Sequence, residues 1–214
     1  MIQAQLQIEF LNYWHAGTGK SGGRNVDAVT EKDGNQLPFI SGRHLKGLLR
    51  DATHRAENWG WFKNTPLPEG PAPTLEQLLF GSTNQVEKRT ETAAGMLIMD
   101  DATLPKPEAA FLAHRDKHAI RDALYENLFS TAINDAGTAK DGSLRGMEVC
   151  VPLMLEATVA LMASALEDDL RAQQERWLEA ENWAWLCSCL TLIDSLGASR
   201  TRGLGEAQLT LANA

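Results

Sequence analysis

The chain has 214 residues, of which 43% are hydrophobic and 22% are charged, as in an ordinary globular protein. A single domain of this length buries enough surface to fold without disulfides or a metal, which excludes a disordered chain, a collagen-like fibre and a small disulfide scaffold. The net charge of −8 argues against a nucleic-acid partner, but residues 14–63 hold eight Lys and Arg against five Asp and Glu, so the basic groups are clustered.

The first predicted elements are a strand and a helix. Residues 2–10 carry an apolar side chain at every second position, and this period of two predicts a half-buried strand. A loop rich in glycine and charge follows, to about residue 36. Residues 41–59 then show helical spacing, with Ser41 as the expected N-cap and a set of apolar side chains on one face: Leu45, Leu48, Leu49 and Ala52.

The middle of the chain predicts a loop, a short helix and a strand, followed by a long insertion. Residues 60–73 contain four prolines and are expected to form a loop, and a short helix is expected over 74–80. Residues 95–102 are typical of a buried strand. The polar stretch 105–146 indicates a protruding hairpin or an inserted segment.

The remaining elements complete the pattern. Residues 147–163 are rich in β-formers, although Pro152 requires a bulge or an edge position there. Helical spacing runs from about 166 to 196, and the last nine residues alternate as a strand. The order βαββαβ predicts an α+β fold with a ferredoxin-like (RRM-like) core, in a single domain spanning residues 1–214.

The sequence also carries information on the cellular compartment of the protein. The three cysteines include no Cys-x-x-Cys pair, and the first ten residues lack the basic start and apolar stretch of a signal peptide. No run of 18 uncharged apolar residues occurs. We therefore expect a cytoplasmic protein with no membrane partner.

The glycine-rich loop after the first strand resembles a phosphate-binding loop only in part. Gly19-Lys20-Ser21 matches the end of a Walker A motif, but Trp14 stands where that motif requires its first glycine. An NTPase that binds its nucleotide through Lys20 is therefore the weaker alternative.

Two other segments suit a phosphodiester backbone. In residues 37–50 the turn Ser41-Gly42 opens a helix whose N-terminus carries a positive dipole and whose exposed side is basic. A capped amphipathic helix with a solvated basic face explains the same pattern. In the segment 197–205, Arg200 and Arg202 would point to one side if the chain were extended there, whereas a hairpin turn with two solvated arginines is the alternative.

Together these segments resemble the RAMP superfamily, specifically the backbone subunits of type III CRISPR RNA-guided effector complexes. Four segments match in the order of the family's motifs, at residues 15–19, 37–50, 142–149 and 197–209. The match departs from the family at Ser41, which replaces a proline, and at Arg43-His44, which replace paired serines.

The resemblance implies partners and a binding surface. The partners would be a CRISPR guide RNA, a complementary target RNA, copies of this chain or related backbone subunits, and the large and small subunits of the complex. The insertion at 105–146 would be the thumb hairpin of the family. The residues expected to contact RNA are His15, Lys20, Arg24, Ser41, Gly42, Arg43, Lys46, Arg50, Arg200, Arg202 and Gly203.

The resemblance also implies a catalytic residue. Asp27 matches the aspartate that slicing members of the family need for metal-dependent cleavage of target RNA. Its carboxylate would hold Mg²⁺ or Mn²⁺, or position a ribose 2′-hydroxyl for attack on the adjacent phosphate. This would make the chain an endoribonuclease within its complex; a non-cleaving RNA-binding subunit, such as an end cap, is the alternative. For His15, a structural role is as consistent as contact with phosphate or support of Asp27.

Overall fold

The first strand, β1 (Ile2–Phe10), is the predicted alternating strand, and its buried side chains are Ala4, Leu6, Ile8 and Phe10. In the computed structural model, which describes residues 1–19, 26–69, 72–82, 93–181 and 183–212, β1 is an inner strand of a four-stranded antiparallel sheet. Burying alternate apolar side chains of an inner strand places the main core on one face of this sheet.

The other three strands of the main sheet are β2 (Leu97–Met99), β5 (Met154–Leu161) and β6 (Ala207–Ala212). Their order is β2-β5-β1-β6, with Ile2 opposite Leu161 and Phe10 opposite Ala207. Without the inserted elements, the chain runs β1, helix, β2, β5, helix, β6. The predicted α+β class and ferredoxin-like core are confirmed.

Helix α1 (Gly42–Asn58) follows the predicted period and buries one face, including Leu45, Leu49 and Ala52. The short helix α2 (Leu75–Phe80) begins where the carboxylate of Glu57 accepts hydrogen bonds from the backbone N–H groups of Leu75 and Glu76, at 2.7 and 3.0 Å. An acid of α1 thus caps α2, which fixes the two helices together.

The helical stretch predicted over 166–196 is two helices, α5 (Asp168–Glu179) and α6 (Ala184–Leu190). They are separated because Trp183, whose side chain is buried, has a left-handed backbone with φ of 62°. A left-handed residue cannot continue a right-handed helix.

The insertion contains two short helices before its hairpin. These are α3 (Lys106–Leu112) and α4 (His118–Asp122), joined by a 3₁₀ turn over Arg115–Lys117. The hairpin then pairs β3 (Tyr125–Ser130) with β4 (Arg145–Cys150) in a separate two-stranded sheet.

The β-rich stretch predicted over 147–163 is therefore divided between two sheets. Its first part is the end of β4, in the hairpin, and its second part is β5, in the main sheet. Pro152 lies between the two strands, where its missing N–H removes no bond from either ladder.

No helix in the described ranges combines the length and apolar character that crossing a bilayer requires.

Candidate nucleic-acid interface

The three sequence segments with binding potential meet around one cavity. It has a volume of about 270 Å³ and is lined by residues from the loop after β1, the segment before α1, the start of α1 and the loop before β6: Ala16, Gly17, Glu31, Ile40, Ser41, His44, Gly197 and Ala198. Two backbone hydrogen bonds close this arrangement, from Ala198 N–H to the carbonyl of His15 at 2.8 Å and from Glu31 N–H to that of Ala16 at 2.7 Å.

The N-terminus of α1 is already capped by an acid of the chain itself. The N–H of Gly42 donates to Oδ1 of Asp101, which follows β2, at 2.7 Å. A Cβ at Gly42 would lie 2.4 Å from the carbonyl oxygen of Met99, so glycine is required by this close approach. Ser41 occupies the predicted N-cap position, but its side chain makes no capping hydrogen bond.

The basic side chains of α1 differ in what they contact. Arg50 donates from Nε to Glu76 Oε1 at 2.7 Å, and Lys46 donates from Nζ to the carbonyl oxygen of Leu97 at 2.7 Å. Burial, with the charge of Arg50, lowers the pKa of Lys46. Arg43 is exposed and makes no hydrogen bond or ion pair with the part of the chain that the structure describes.

The loop before β6 carries two further exposed arginines. Arg200 and Arg202 lie in a 3₁₀ turn between Ser199 and Gly203, whose φ values are 59° and 80°. Of the two alternatives from the sequence, the stretch is therefore the turn and not the extended segment. The two arginines do not point to one side, because residues two apart in a 3₁₀ turn point in different directions. Arg200 lies two positions after Ala198, which lines the cavity. Burial, and then the charge of Arg200, lowers the pKa of His44.

The glycines of this loop are required for different reasons. A Cβ at Gly205 would lie 1.9 Å from the carbonyl oxygen of Leu196, and one at Gly197 would lie 2.4 Å from that of His15. Both positions therefore need glycine for close backbone approach as well as for positive φ. Gly203 has open space around it, so only its left-handed conformation favours glycine.

His15 lies inside the packing, with 3% of its surface exposed. Its Nδ1 donates to the carbonyl oxygen of Glu148 in β4 at 2.7 Å, and the Thr30 hydroxyl donates to the same oxygen at 2.9 Å. This is the structural alternative that the sequence left open: His15 joins the loop after β1 to the hairpin.

Asp27 lies beside the first residues of β4, at the end of that strand nearer the hairpin turn, and is exposed. Its backbone N–H donates to the carbonyl oxygen of Gly146 at 2.8 Å, and its Oδ2 accepts from the N–H of Gly146 at 2.8 Å. The next residue, Ala28, bridges to Met147 in β4. The hairpin thus holds Asp27 at both its backbone and its carboxylate, and the second carboxylate oxygen is left without a hydrogen bond to the described residues.

The side chains around Asp27 determine whether it could hold the metal ion expected from the sequence. Within the described ranges, no group of three or more His, Cys, Asp or Glu side chains gathers in a way that could hold a metal ion. Mg²⁺ is commonly held by one or two carboxylates together with substrate phosphates and water. Asp27 fits such an ion only as one ligand, with RNA and water supplying the others.

Several contributors to this surface were not predicted from sequence. Glu148 accepts from Thr30 N–H at 3.2 Å and pairs with Lys32 Nζ at 3.1 Å, while Lys32 lies 3.7 Å from the ring centre of Tyr125. No local pattern connects Lys32 with Glu148, 116 positions later, or with Tyr125, 93 positions later, so this cluster had no sequence signal. His44 did have one, since it lies within the segment 37–50.

Two predicted RNA contacts, Lys20 and Arg24, lie outside the described residues. Of the others, Ser41 lines the cavity, Gly42 and Arg43 follow it in the chain, and Arg200 and Arg202 follow the lining residue Ala198. Arg50 and His15 are engaged by neighbouring groups of the chain.

The chain matches a protein-family model over most of its length. A model of the RAMP superfamily matches residues 7–208. A search of curated proteins gave no match.

Solved structures similar to this chain cover nearly all of it. One comes from the cryo-EM structure of the type III-B Cmr-beta complex bound to cognate target RNA, with a TM-score of 0.65, 10% identity, and coverage of 99% of this chain and 97% of that chain. Another comes from the apo state of type III-B Cmr-beta, with a TM-score of 0.60, 12% identity and coverage of 99% and 98%. At these identities the likeness establishes the fold.

Proposed function

The chain belongs to the RAMP superfamily, and from this premise we propose that it is an RNA-binding backbone subunit of a type III CRISPR effector complex. Its partners are a guide RNA, a complementary target RNA, further backbone subunits of the same or a related kind, and the large and small subunits. The similar chains come from type III-B Cmr-beta complexes, one of them bound to target RNA, which supports this assignment.

The observation that carries the proposal is the convergence of three distant segments on one cavity beside exposed arginines. Arg43 and Arg200 flank the cavity-lining residues Ser41, His44 and Ala198, and Arg202 lies in the same turn as Arg200. The guide strand passes over this surface, and its phosphates are bound by Arg43, Arg200 and Arg202 with help from Lys46. Arg50 lies outside this set because Glu76 already pairs with it.

We further propose that Asp27 cleaves target RNA. The Gly146 N–H orients the carboxylate through Oδ2 and leaves Oδ1 free to accept the proton of a ribose 2′-hydroxyl. The 2′-oxygen forms a bond to the adjacent phosphorus while the bond from phosphorus to the 5′-oxygen breaks. The products are a 2′,3′-cyclic phosphate and a 5′-hydroxyl, whose proton comes from water. A bound Mg²⁺ or Mn²⁺, held in part by Asp27, would supply charge stabilisation at the phosphate.

The test of both steps uses the complex purified from its native host through a tag on this chain. We expect short guide RNAs to be recovered with it and a labelled complementary RNA to be cut at regular intervals in Mg²⁺ or Mn²⁺ but not in EDTA. Asp27→Ala should reduce cleavage at least a hundredfold with target binding unchanged. Asp33→Asn is the matched control, because the Asp33 carboxylate is used within its own turn, accepting from the N–H groups of Asn35 and Leu37.

Two results would decide against the proposal. Unchanged cutting by Asp27→Ala would remove Asp27 from catalysis and favour the non-cleaving subunit. Recovery of the chain without RNA would contradict the assignment to an RNA-guided complex itself.

A further inference from the structure

One carboxylate lines the cavity. Glu31 is the only acid among the eight described residues that line it, and its side chain makes no hydrogen bond or ion pair with the described parts of the chain. Its position is nevertheless fixed. Its N–H is bonded to the carbonyl of Ala16, and its neighbours Thr30 and Lys32 are both held by Glu148.

This placement is unfavourable for a surface that binds only phosphates. A carboxylate offers acceptors and no donor, and it repels the phosphate groups that the flanking arginines attract. His44, the other titratable group among the described lining residues, is poorly placed to neutralise Glu31, because burial and the charge of Arg200 lower its pKa and so disfavour the charged ring. A ligand that turned a hydrogen-bond donor towards Glu31 would remove this conflict.

An RNA strand carries two kinds of donor, the ribose 2′-hydroxyl and the N–H groups of the bases. Bases are usually held by stacking on aromatic side chains, and the lining residues that the structure describes include no Phe, Tyr or Trp. Small residues form much of its wall, namely Ala16, Gly17, Gly197 and Ala198. Such a wall admits a sugar without offering a platform for a base.

We propose that the cavity receives a ribose of the bound strand and that Glu31 accepts a hydrogen bond from its 2′-hydroxyl, so that this residue makes the surface selective for RNA over DNA. The inference rests on the proposed RNA-binding function. It assigns to Glu31 a role in choosing the sugar, in addition to the phosphate contacts of the arginines.

The experiment measures binding of the purified full chain to a fluorescein-labelled single-stranded RNA and to the DNA of the same sequence, by fluorescence anisotropy. The wild type should prefer RNA. Glu31→Ala should weaken RNA binding about tenfold, as expected for a lost hydrogen bond to a charged group. The same variant should bind DNA as well as the wild type or better, because one repulsive charge is gone.

Two further variants make the result specific. Glu31→Gln keeps the size of the side chain and one acceptor oxygen, and should lose only part of the preference for RNA. Glu175→Ala removes an equal charge from the exposed side of α5, away from the cavity lining, and should leave the preference unchanged.

The outcomes distinguish a failure of the role given to Glu31 from a failure of the proposed RNA-binding function. If the wild type binds RNA but binds DNA equally well, or if Glu31→Ala changes both affinities in the same direction, Glu31 does not read the 2′-hydroxyl and the inference is overturned. If the wild type binds neither strand, the proposed RNA-binding function fails as well.

Discussion

At the scale of single residues, the arginines of the interface differ in what holds their guanidinium groups. Arg43 and Arg200 are exposed beside the cavity, whereas Arg50 is paired with Glu76 at 2.7 Å. A free arginine that binds a phosphate contributes about one unit to the dependence of affinity on salt, and a paired arginine contributes mainly to stability.

We therefore expect Arg43→Gln and Arg200→Gln each to weaken RNA binding and to reduce the slope of log affinity against log salt by about one. Arg50→Gln should leave this slope unchanged and lower the free energy of unfolding by about 1 kcal/mol. Titrations at several salt concentrations and urea unfolding measure the two quantities. A slope that falls as much in Arg50→Gln as in Arg43→Gln would show that the pair with Glu76 opens to bind RNA.

These residues also show which features of the candidate binding surface could be predicted from the sequence. It placed Arg43, Arg50 and Arg200 on a basic surface, because a cluster of charge and a helical period are local properties. Sequence reasoning could not tell the paired Arg50 from the other two arginines. The partner, Glu76, lies 26 positions beyond Arg50 and is brought to it only by the packing of α2 on α1. The position of Asp27 was matched by motif, but its bonds to Gly146 depend on the register of the hairpin.

At the scale of elements, the joint between α1 and α2 depends on the charge of Glu76. Its two carboxylate oxygens accept from Arg50 Nε at 2.7 Å and from His54 Nδ1 at 2.8 Å. Burial raises the pKa of Glu76, but the hydrogen bonds from Arg50 and His54 outweigh it, so the pKa in the folded protein lies below its ordinary value of 4.5. The ionised form is therefore the one that stabilises the fold.

The stabilisation of the fold by Glu76 should be lost at acidic pH. The contribution is complete above the pKa of the unfolded chain and is lost as the pH falls through the lower pKa of the folded protein. We expect Glu76→Gln to cost about 1 kcal/mol near neutral pH and to flatten the fall in stability below about pH 4.5. Asp51→Asn, which breaks the exposed pair with Arg55, is the control and should cost only a few tenths of a kcal/mol. Urea unfolding across pH measures both, and equal losses would contradict the assignment.

The elements themselves were predictable where the pattern is local. The alternation of β1, the period of α1 and the final strand β6 follow directly from the spacing of apolar residues. The break at Trp183 had no such signal, since a buried tryptophan is not a residue that favours positive φ. The division of 147–163 into β4 and β5 was marked only by Pro152, which a bulge would have explained equally well.

At the scale of the whole molecule, the hairpin extends from the body of the protein and ends in exposed apolar side chains. Phe129, Ile133 and Leu144 are 59%, 70% and 68% exposed, whereas Val149 and Cys150, at the other end of β4, are buried. The segment between the two strands, residues 131–144, thus lies outside the core, whereas β4 itself is joined to the body.

We expect replacement of residues 131–144 by a short glycine-containing turn to change the free energy of unfolding by less than about 1 kcal/mol, because the removed segment lies outside the core. Affinity of the full chain for single-stranded RNA should stay within about twofold, since the cavity and its arginines are retained. Urea unfolding and anisotropy measure these quantities. Loss of cooperative unfolding would show that the tip of the hairpin supports the body.

The interface is joined from opposite ends of the chain. The N–H of Gly205 donates to the carbonyl of Tyr13, and that of Ala198 to the carbonyl of His15, both at 2.8 Å. During synthesis the loop after β1 leaves the ribosome more than 180 residues before these partners. A nascent chain therefore has no completed cavity, and a product truncated before residue 197 never acquires one. Under the proposed function, RNA can therefore be bound at this cavity only after the loop before β6 has been synthesised.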